Sequence, residues 1–543
     1  MRERLQRWLG IADGEWARFA GFATCFFLLS IGIEFGRIGR DSYFLNTAGV
    51  AAIPLMYVFI AILMMATAPL YDRYVRRLST PQLMIALQIG GAVGLGILWL
   101  AMTLLPTPPK ALPYLLFPVV EAYLLFLLMH FWTFTNACFD AFEGRRLFPF
   151  ISGAGLSGSL LAGLASRVFS TIIGANQLIA VWAVLLLATI PLTRSLARLN
   201  AQPRQSASIR ASDIDAAPAA EPSLRAVWDQ PLLRTLTYMA LPMWIIVYII
   251  EYSYFGTTMR VFPNQNDLAG FLGIVVSAGA GIGLVLQFTV TPWMLRKFGV
   301  GTTSMVYPTT LTLGALSLLL FSLVPASTAP TLPLFGIALL VVFARLCDVS
   351  FFFSVHDAAT QLLMYAVPSA LRDKGRVLMS AVVAPASIAA AGGLLIYFRS
   401  LGEPTHNVAF VAIALAFLLM VVALGITPEF LSALLANLQP GATEHREQVL
   451  GEIAKLETND ARYVLMQSLT AHDLEEAHFA VERLFKIKDD DMIEEMLESA
   501  SKMQVAVLKD IEQHMTDGER VSFAEMLREA FASALPTAAQ SHA

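Results

Sequence analysis

Arg18–Phe44 reads RFAGFATCFFLLSIGIEFGRIGRDSYF. From Phe19 to Ile33 it carries no charged residue, and the run is longer than the roughly 20 residues a helix needs to cross a bilayer. Four charges, Glu34, Arg37, Arg40 and Asp41, then follow inside the same run. A charge held in lipid costs several kcal/mol unless it is paired or functional, so these side chains must point into a protein interior. Glu34, Arg37 and Asp41 fall at i, i+3 and i+7 and stack on one helical face, with Arg40 on the adjoining flank. Such a face requires partner helices, and the rest of the chain supplies them.

Of 543 residues, 56% are hydrophobic and 14% charged. Soluble domains carry about 25% charged residues, so lipid is the solvent for most of this chain. Further apolar segments of spanning length fall near 51–71, 83–105, 112–137, 147–172 and 177–197, and again near 232–256, 268–292, 302–325, 331–365, 376–399 and 407–427. Between the two sets, Asn200 to Ser223 is rich in Ala, Pro, Ser and Arg and reads as a flexible linker. Basic residues concentrate in alternate loops: Arg73, Arg76 and Arg77; Arg145 and Arg146; Arg194 to Arg234; Arg296 and Lys297; Arg372, Lys374 and Arg376. The other loops hold little beyond Lys110, Arg260 and Arg399. That asymmetry places both termini and the linker in the cytoplasm of a multi-pass protein of a bacterial inner membrane. The basic, amphipathic N-terminus has no small-x-small cleavage site, so a retained first span is expected rather than a signal peptide.

The expected division is 1–199 and 229–430 as six-helix halves, 200–228 as linker, and 440–543 as an acidic cytoplasmic domain. The halves read as repeats. Asp41-Ser-Tyr-Phe recurs as Tyr252-Ser-Tyr-Phe, Thr67-Ala-Pro as Val290-Thr-Pro, and Gly144-Arg-Arg as Lys374-Gly-Arg. Such duplication marks transporters that rock two bundles about a midplane site. From Pro440 to Ala543 there are 21 acidic and 10 basic residues, a net of −11, which leaves +7 for the remainder of a chain whose total is −4. Short amphipathic helices are expected there over Glu444–Glu457, Asp460–Leu469, Leu474–Phe485, Met492–Ser499 and Val505–Met515, a HEAT-like helical-repeat module.

The chemical motifs are few. Gly153-Ala-Gly-Leu-Ser-Gly158 satisfies G-x-G-x-x-G but lies in a span, where small residues let helices approach closely. Cys25, Cys138 and Cys347 sit in apolar spans without metal or disulfide spacing. No zinc spacing, nucleophile-base set or Walker loop is present, so no metal, cofactor or enzymatic activity is expected, and transport would run on a gradient or by exchange. Asp72-Arg73-Tyr-Val-Arg76-Arg77 resembles the motif that marks the major facilitator superfamily, with Ala68 and Val75 replacing its two glycines. The resemblance implies a gating latch on the inner side, to which Arg145, Arg146, Lys374 and Arg376 would contribute; the plain alternative is a positive-inside anchor.

Charges within spans are the sharpest signal. Span 4 carries Glu121 and His130, with Asn136 near its end; span 7 carries Glu251; span 10 carries Arg345, Asp348, His356 and Asp357. Spans 1, 4, 7 and 10 are the first and fourth helices of each half, so in a repeat architecture they line one central site. The expected substrate contacts are Arg37, Arg40, Asp41, Glu121, Asn136, Glu251, Arg345 and Asp348, and the expected coupling groups Glu121, Glu251 and His130. Satisfied interhelical pairs are the competing reading of the same residues.

These residues also resemble the ATP/ADP translocase-type nucleotide transporters of plastids and intracellular bacteria. The matching stretches are Arg40-Asp41-Ser-Tyr-Phe running to Ala-Ile-Pro54; Glu121 leading to Phe131-Trp132 and Asn136; Glu143-Gly-Arg-Arg-Leu-Phe-Pro149; Glu251 followed by Phe262-Pro263; and Asp357, Tyr365, Pro368 and Lys374-Gly-Arg376. The resemblance implies nucleotide antiport and makes Arg40, Glu121 and Glu251 substrate contacts. Where that family places lysines after the span 7 glutamate, this chain has Phe255, Thr257 and Met259, and in span 11 it has Ser380, Pro385 and Ile388 in place of charged residues.

The expected fold is thus an all-α polytopic membrane protein, twelve transmembrane helices in two pseudo-symmetric halves, major-facilitator-like, plus a soluble C-terminal helical domain. The expected function is secondary transport by alternating access, resembling the exchangers of nucleotides or related organophosphates, with a small-molecule, anionic substrate. Two alternatives stay open: proton-coupled transport of a less charged solute such as a nucleoside or lipid-like amphiphile, and a membrane scaffold recruiting a partner protein through the C-terminal domain. Contacts with the lipid bilayer are expected and contacts with nucleic acid are not.

Overall fold

A computed structural model of the chain describes residues 15–106, 108–139, 141–200, 224–324, 334–402 and 405–436, and single positions between 466 and 511. Among the described residues, twelve helices are long and apolar enough to cross a membrane. They are α1 (Trp16–Thr47), α2 (Val50–Val75), α3 (Thr80–Thr103), α4 (Leu112–Cys138), α5 (Arg146–Ile172), α6 (Gln177–Leu199), α7 (Pro231–Val261), α8 (Gln265–Ser304), α9 (Val306–Leu323), α10 (Ala338–Leu363), α11 (Lys374–Ser400) and α12 (Asn407–Ala433).

Local chemistry sets the helix ends. Ser79 and Gln82 form a capping box at the start of α3, with Pro81 in the first turn. The Asn264 side chain accepts from the backbone N–H groups of Asn266 and Asp267 to open α8. The turns after α1, α5 and α11 each contain a glycine at positive φ: Gly49 (77°), Gly174 (89°) and Gly402 (68°). That backbone region is open to glycine at little cost.

The chain separates into two compact units. The first comprises Met1–Thr291, Met305–Ala358 and Pro368–Leu424. Its helix pairings obey the repeat: α1 packs on α4, α5 and α6 as α7 packs on α10, α11 and α12. Likewise α3 packs on α4 and α6 as α9 packs on α10 and α12. The halves meet along α5–α8 and α2–α11, again a symmetric pair. Both seams use glycine to bring backbones together. A Cβ on Gly163 of α5 would stand 2.3 Å from the Gly273 carbonyl oxygen of α8, and one on Gly392 of α11 would stand 2.5 Å from that of Pro54. The G-x-G-x-x-G stretch serves the same end: Gly155 lies against Phe26 and Gly158 against the Phe27 carbonyl.

Helix α1 divides its two faces by residue size. Gly32 and Gly36 seat the fully buried Trp182 of α6, while the charged face turns elsewhere. A Cβ at Gly36 would fall 1.9 Å from the Trp182 ring. Overpacking a tight core costs about 1–3 kcal/mol, so Gly36→Ala is expected to lower the melting temperature of the purified protein. A melting curve identical to wild type would mean that the indole has room to swing aside.

The second unit comprises Pro292–Ser304, Ala359–Val367 and Gly425–Ala543. In it Gly301 lies against Thr427, and Leu363, Ile426 and Phe430 are buried. Ala477, Ala480, Val481 and Leu484 are helical and buried at three- and four-residue spacing, and Met503, Val507 and Ile511 are buried at four-residue spacing. The remainder of the expected acidic domain, the N-terminal 14 residues, Asp140 and residues 201–223 of the linker lie outside the described residues. A short helix, Leu224–Asp229, occupies the end of the segment 200–228 expected as linker.

Candidate functional site

Two ion-pair groups occupy the centre of the first unit. In the N-terminal half, Arg40 of α1 donates from Nε to Asp41 Oδ1 at 2.7 Å and from Nη2 to the same oxygen at 2.6 Å, and it donates from Nη1 to Glu121 of α4. The ring of Phe117, one turn before Glu121, lies under the guanidinium at 4.2 Å. Arg40 is only 2% exposed. In the C-terminal half, Arg345 of α10 donates to Asp348 Oδ2 at 2.7 Å and to Glu251 Oε2 of α7 at 2.9 Å. Each group is one guanidinium with two carboxylates. The repeat is met with a swap: the Arg–Asp pair sits on the first helix of one half and the fourth helix of the other.

Tyrosines complete the surroundings. Tyr57 of α2 donates to Glu251 Oε1 at 3.2 Å, a hydrogen bond that crosses from one half to the other. Tyr307 of α9 donates to Asp348 Oδ1 at 2.8 Å. Tyr248 packs edge-on against Tyr57, 4.6 Å between centroids, within electrostatic reach of Glu121, Glu251, Arg37 and Arg40. Tyr254 reaches Arg345, Asp41 and Glu251 in the same way.

Arg37 differs from the other two arginines. It is half-buried, its Nε is shielded from solvent, and that atom has no hydrogen-bond partner. Glu121, Glu34, Asp41 and Glu251 lie within its electrostatic reach, but none is in ion-pair contact with it. Glu34 instead accepts from Ser159 of α5 at 3.2 Å. The side chains of Asp41, Glu121, Glu251 and Arg345 keep 10, 14, 12 and 11% exposure, so the group is nearly but not fully enclosed.

The structure therefore brings Arg37, Arg40, Asp41, Glu121, Glu251, Arg345 and Asp348 together. Asn136 is exposed, more than four turns along α4 from Glu121. His130 is buried elsewhere: Tyr71 donates to its Nδ1 at 3.0 Å and its Nε2 donates to the Thr80 carbonyl at 2.8 Å, which ties α4 to the ends of α2 and α3. Among the gating candidates, Asp72 pairs with Arg76 of its own helix, and both are exposed, as are Arg73 and Arg77. Arg146 pairs with Glu15. Lys374 is half-buried and Arg376 exposed, and the Arg145 side chain lies outside the described residues. At the lysine positions of the resembled family, Phe255 and Thr257 are buried, as are Pro385 and Ile388 in α11.

At the end of the bundle that carries the α1–α2, α5–α6, α7–α8 and α11–α12 turns, the halves are tied by polar contacts. Asn46 donates to the Pro263 carbonyl at 3.2 Å, Gln265 to Asn176 at 2.7 Å, the Ala175 N–H to Asn266 at 3.0 Å, and Arg399 to the Ala51 carbonyl. These contacts also follow the repeat, since the α5–α6 turn meets the start of α8 as the end of α11 meets the start of α2.

Comparison with known proteins agrees with this architecture. No family model matches the chain. The plastidic ATP/ADP-transporter of Solanum tuberosum is 26% identical over 183 residues, 32% of this chain and 28% of that protein, so the chain spans less than a third of the relative's length. A crystal structure of a mutant nucleoside transporter NupG is 14% identical, covers 76% of this chain and all (100%) of its own, and superposes with a TM-score of 0.50. A POT family transporter in complex with a thioalcohol-conjugated peptide is 12% identical over 75% of this chain and 96% of its own, with a TM-score of 0.47. The likeness is one of fold. The chain is an all-α, twelve-span membrane protein with the fold of that nucleoside transporter structure.

Sequence reasoning passed over Tyr57, Tyr248, Tyr254 and Tyr307. A usable signal was present: Tyr248, Glu251 and Tyr254 recur every third residue, which keeps phenolic hydroxyls beside an intramembrane carboxylate. The polar ties of Asn176, Gln265 and Arg399 had no such signal, because each partner is remote in sequence.

Proposed function

We propose that the protein is a secondary transporter working by alternating access, and that its substrate is a nucleobase-bearing solute with at most one phosphate. The observation that carries this reading is Arg37, the one of the three central arginines with no ion-pair contact among the described residues, set among charges from the first and fourth helices of both halves. Glu251 of one half is held by Tyr57 of the other, so a solute lodged between the ion-pair groups engages both halves at once. Two of the three arginines are already matched by two carboxylates each. A nucleoside triphosphate brings about four negative charges, and in a low-dielectric interior each needs a matching donor or cation. The charge count therefore favours a nucleoside or a monophosphate over the ATP and ADP named for the plant relative. Tyr248 and Tyr254, buried in this conformation beside the charges, are the aromatic rings that a base would meet as the halves rock.

With both chain ends and the linker in the cytoplasm, the tied end of the bundle faces outward, and this conformation is closed to the outside. Gradient-driven uptake or exchange then requires the Asn46, Gln265 and Arg399 contacts to part as the halves rock.

Uptake into liposomes containing the purified protein tests the substrate class. Adenosine and AMP should enter saturably and compete with each other, whereas ATP should neither enter nor compete. Exchange of external ATP for internal ADP would replace this reading with that of a nucleotide antiporter. Uptake of none of these solutes would remove it.

A further inference from the structure

The two ion-pair groups share a formula but not a degree of satisfaction. In the C-terminal group every carboxylate oxygen has a donor: Arg345 serves Glu251 Oε2 and Asp348 Oδ2, Tyr57 serves Glu251 Oε1, and Tyr307 serves Asp348 Oδ1. In the N-terminal group Arg40 directs two of its three bonds to the same oxygen, Asp41 Oδ1, and the third to Glu121 Oε2. Asp41 Oδ2 and Glu121 Oε1 receive no hydrogen bond from any described residue.

The groups facing this acid pair do not cancel its charge. Asp41 faces Arg37 and Arg40 of α1, Glu251 of α7 and Tyr254; Glu121 faces Arg37, Arg40, Arg345 of α10 and Tyr248; Glu34 stands beside Arg37, and Asp348 beside Arg345. Five carboxylates thus stand against three guanidinium groups. Excess negative charge in a low-dielectric interior is expensive, and a proton is the smallest species that can remove it.

We infer that the acid pair Asp41–Glu121 is a proton-binding site, and that it carries the coupling proton of the transport cycle. The inference rests on the transporter reading for the word coupling, but not for the site itself. The step is a simple addition. A proton from water becomes an O–H on Asp41 Oδ2 or Glu121 Oε1, where no donor occupies the lone pair, and it returns to water on the opposite side. A substrate anion that pairs with Arg37 takes away the cation that otherwise faces these two acids. Anion and proton therefore enter as a neutral pair, which gives symport. The C-terminal group, with a donor on every carboxylate oxygen, positions α7 against α10.

Infrared titration of the protein in lipid tests the site without any solute. Wild type should show a protonated-carboxyl C=O band that appears near neutral pH, where exposed carboxylates stay ionised. The band should be lost in Asp41→Asn or in Glu121→Gln and kept in Glu251→Gln and Asp348→Asn. Should Asp41→Asn fail to fold, Glu121→Gln and wild type carrying carboxyl-13C aspartate or glutamate make the same assignment, since the labelled acid shifts the band. No such band in wild type, or a band lost only with Glu251 or Asp348, overturns the inference. Uptake of AMP should rise several-fold under an inward proton gradient in wild type and lose that response in Glu121→Gln. A band without any uptake would leave the proton site standing and remove the transporter reading. Gradient-insensitive uptake with no band would do the reverse.

Discussion

Arg345→Met is expected to destabilise the protein by about 3–5 kcal/mol, because it leaves Glu251 and Asp348 as two buried carboxylates facing each other with no cation between them. The cost comes from the stranded charges and not from the lost contacts. The triple variant Arg345→Met, Glu251→Gln, Asp348→Asn should therefore recover most of the melting temperature, since neutral groups of similar volume remain and Tyr57 and Tyr307 can still bond to the amide oxygens. Melting curves in one detergent decide the matter. A single variant that melts as wild type does would mean the carboxylates find other partners, and the C-terminal group would lose its positioning role. A triple variant that transports normally would show that the charges serve stability alone.

The second large effect concerns affinity. Arg37 makes no ion-pair contact, and its Nε has no partner, so Arg37→Gln breaks no bridge; it removes a cation that faces Asp41 and Glu121, and should lower the melting temperature far less than Arg345→Met does. Removing one partner of a buried, hydrogen-bonded charge pair costs about 2 kcal/mol or more. At about 1.4 kcal/mol per decade, AMP should bind about thirtyfold more weakly or worse. Adenosine, which has no anionic group to offer, should lose little. Equal losses for the two solutes would mean that Arg37 does not meet the phosphate. A large fall in melting temperature would place Arg37 with the structural charges instead.

The contrast between Arg37 and Arg345 also shows where sequence and structure divide the work. The run from Arg18 to Phe44 already specified a membrane helix with one charged face, because the periodicity of a helix and the cost of charge in lipid are local properties of a sequence. Twelve spans in two related sets followed from apolar length and from recurring short motifs, and the helices of the structure fall where those runs fall. The meeting of spans 1, 4, 7 and 10 was legible too, since a repeat architecture puts equivalent helices in equivalent places. What no local pattern contained was pairing. Arg37 and Arg40 are three residues apart on one helix and chemically identical, yet one is clamped by two carboxylates and the other is left open. His130 looked like an intramembrane titratable group and proved to be a bolt between Tyr71 and Thr80. Tyr57 reaches Glu251 across 194 positions of sequence, and Gly32 and Gly36 make sense only once Trp182 is seated on them. The sequence alone determined the solvent, the number of helices and the face of each that had to avoid lipid, because those depend on one helix and its surroundings. Which charge neutralises which, and which is left without an ion-pair contact, depends on distances between side chains of different helices, and only the packed bundle decides those.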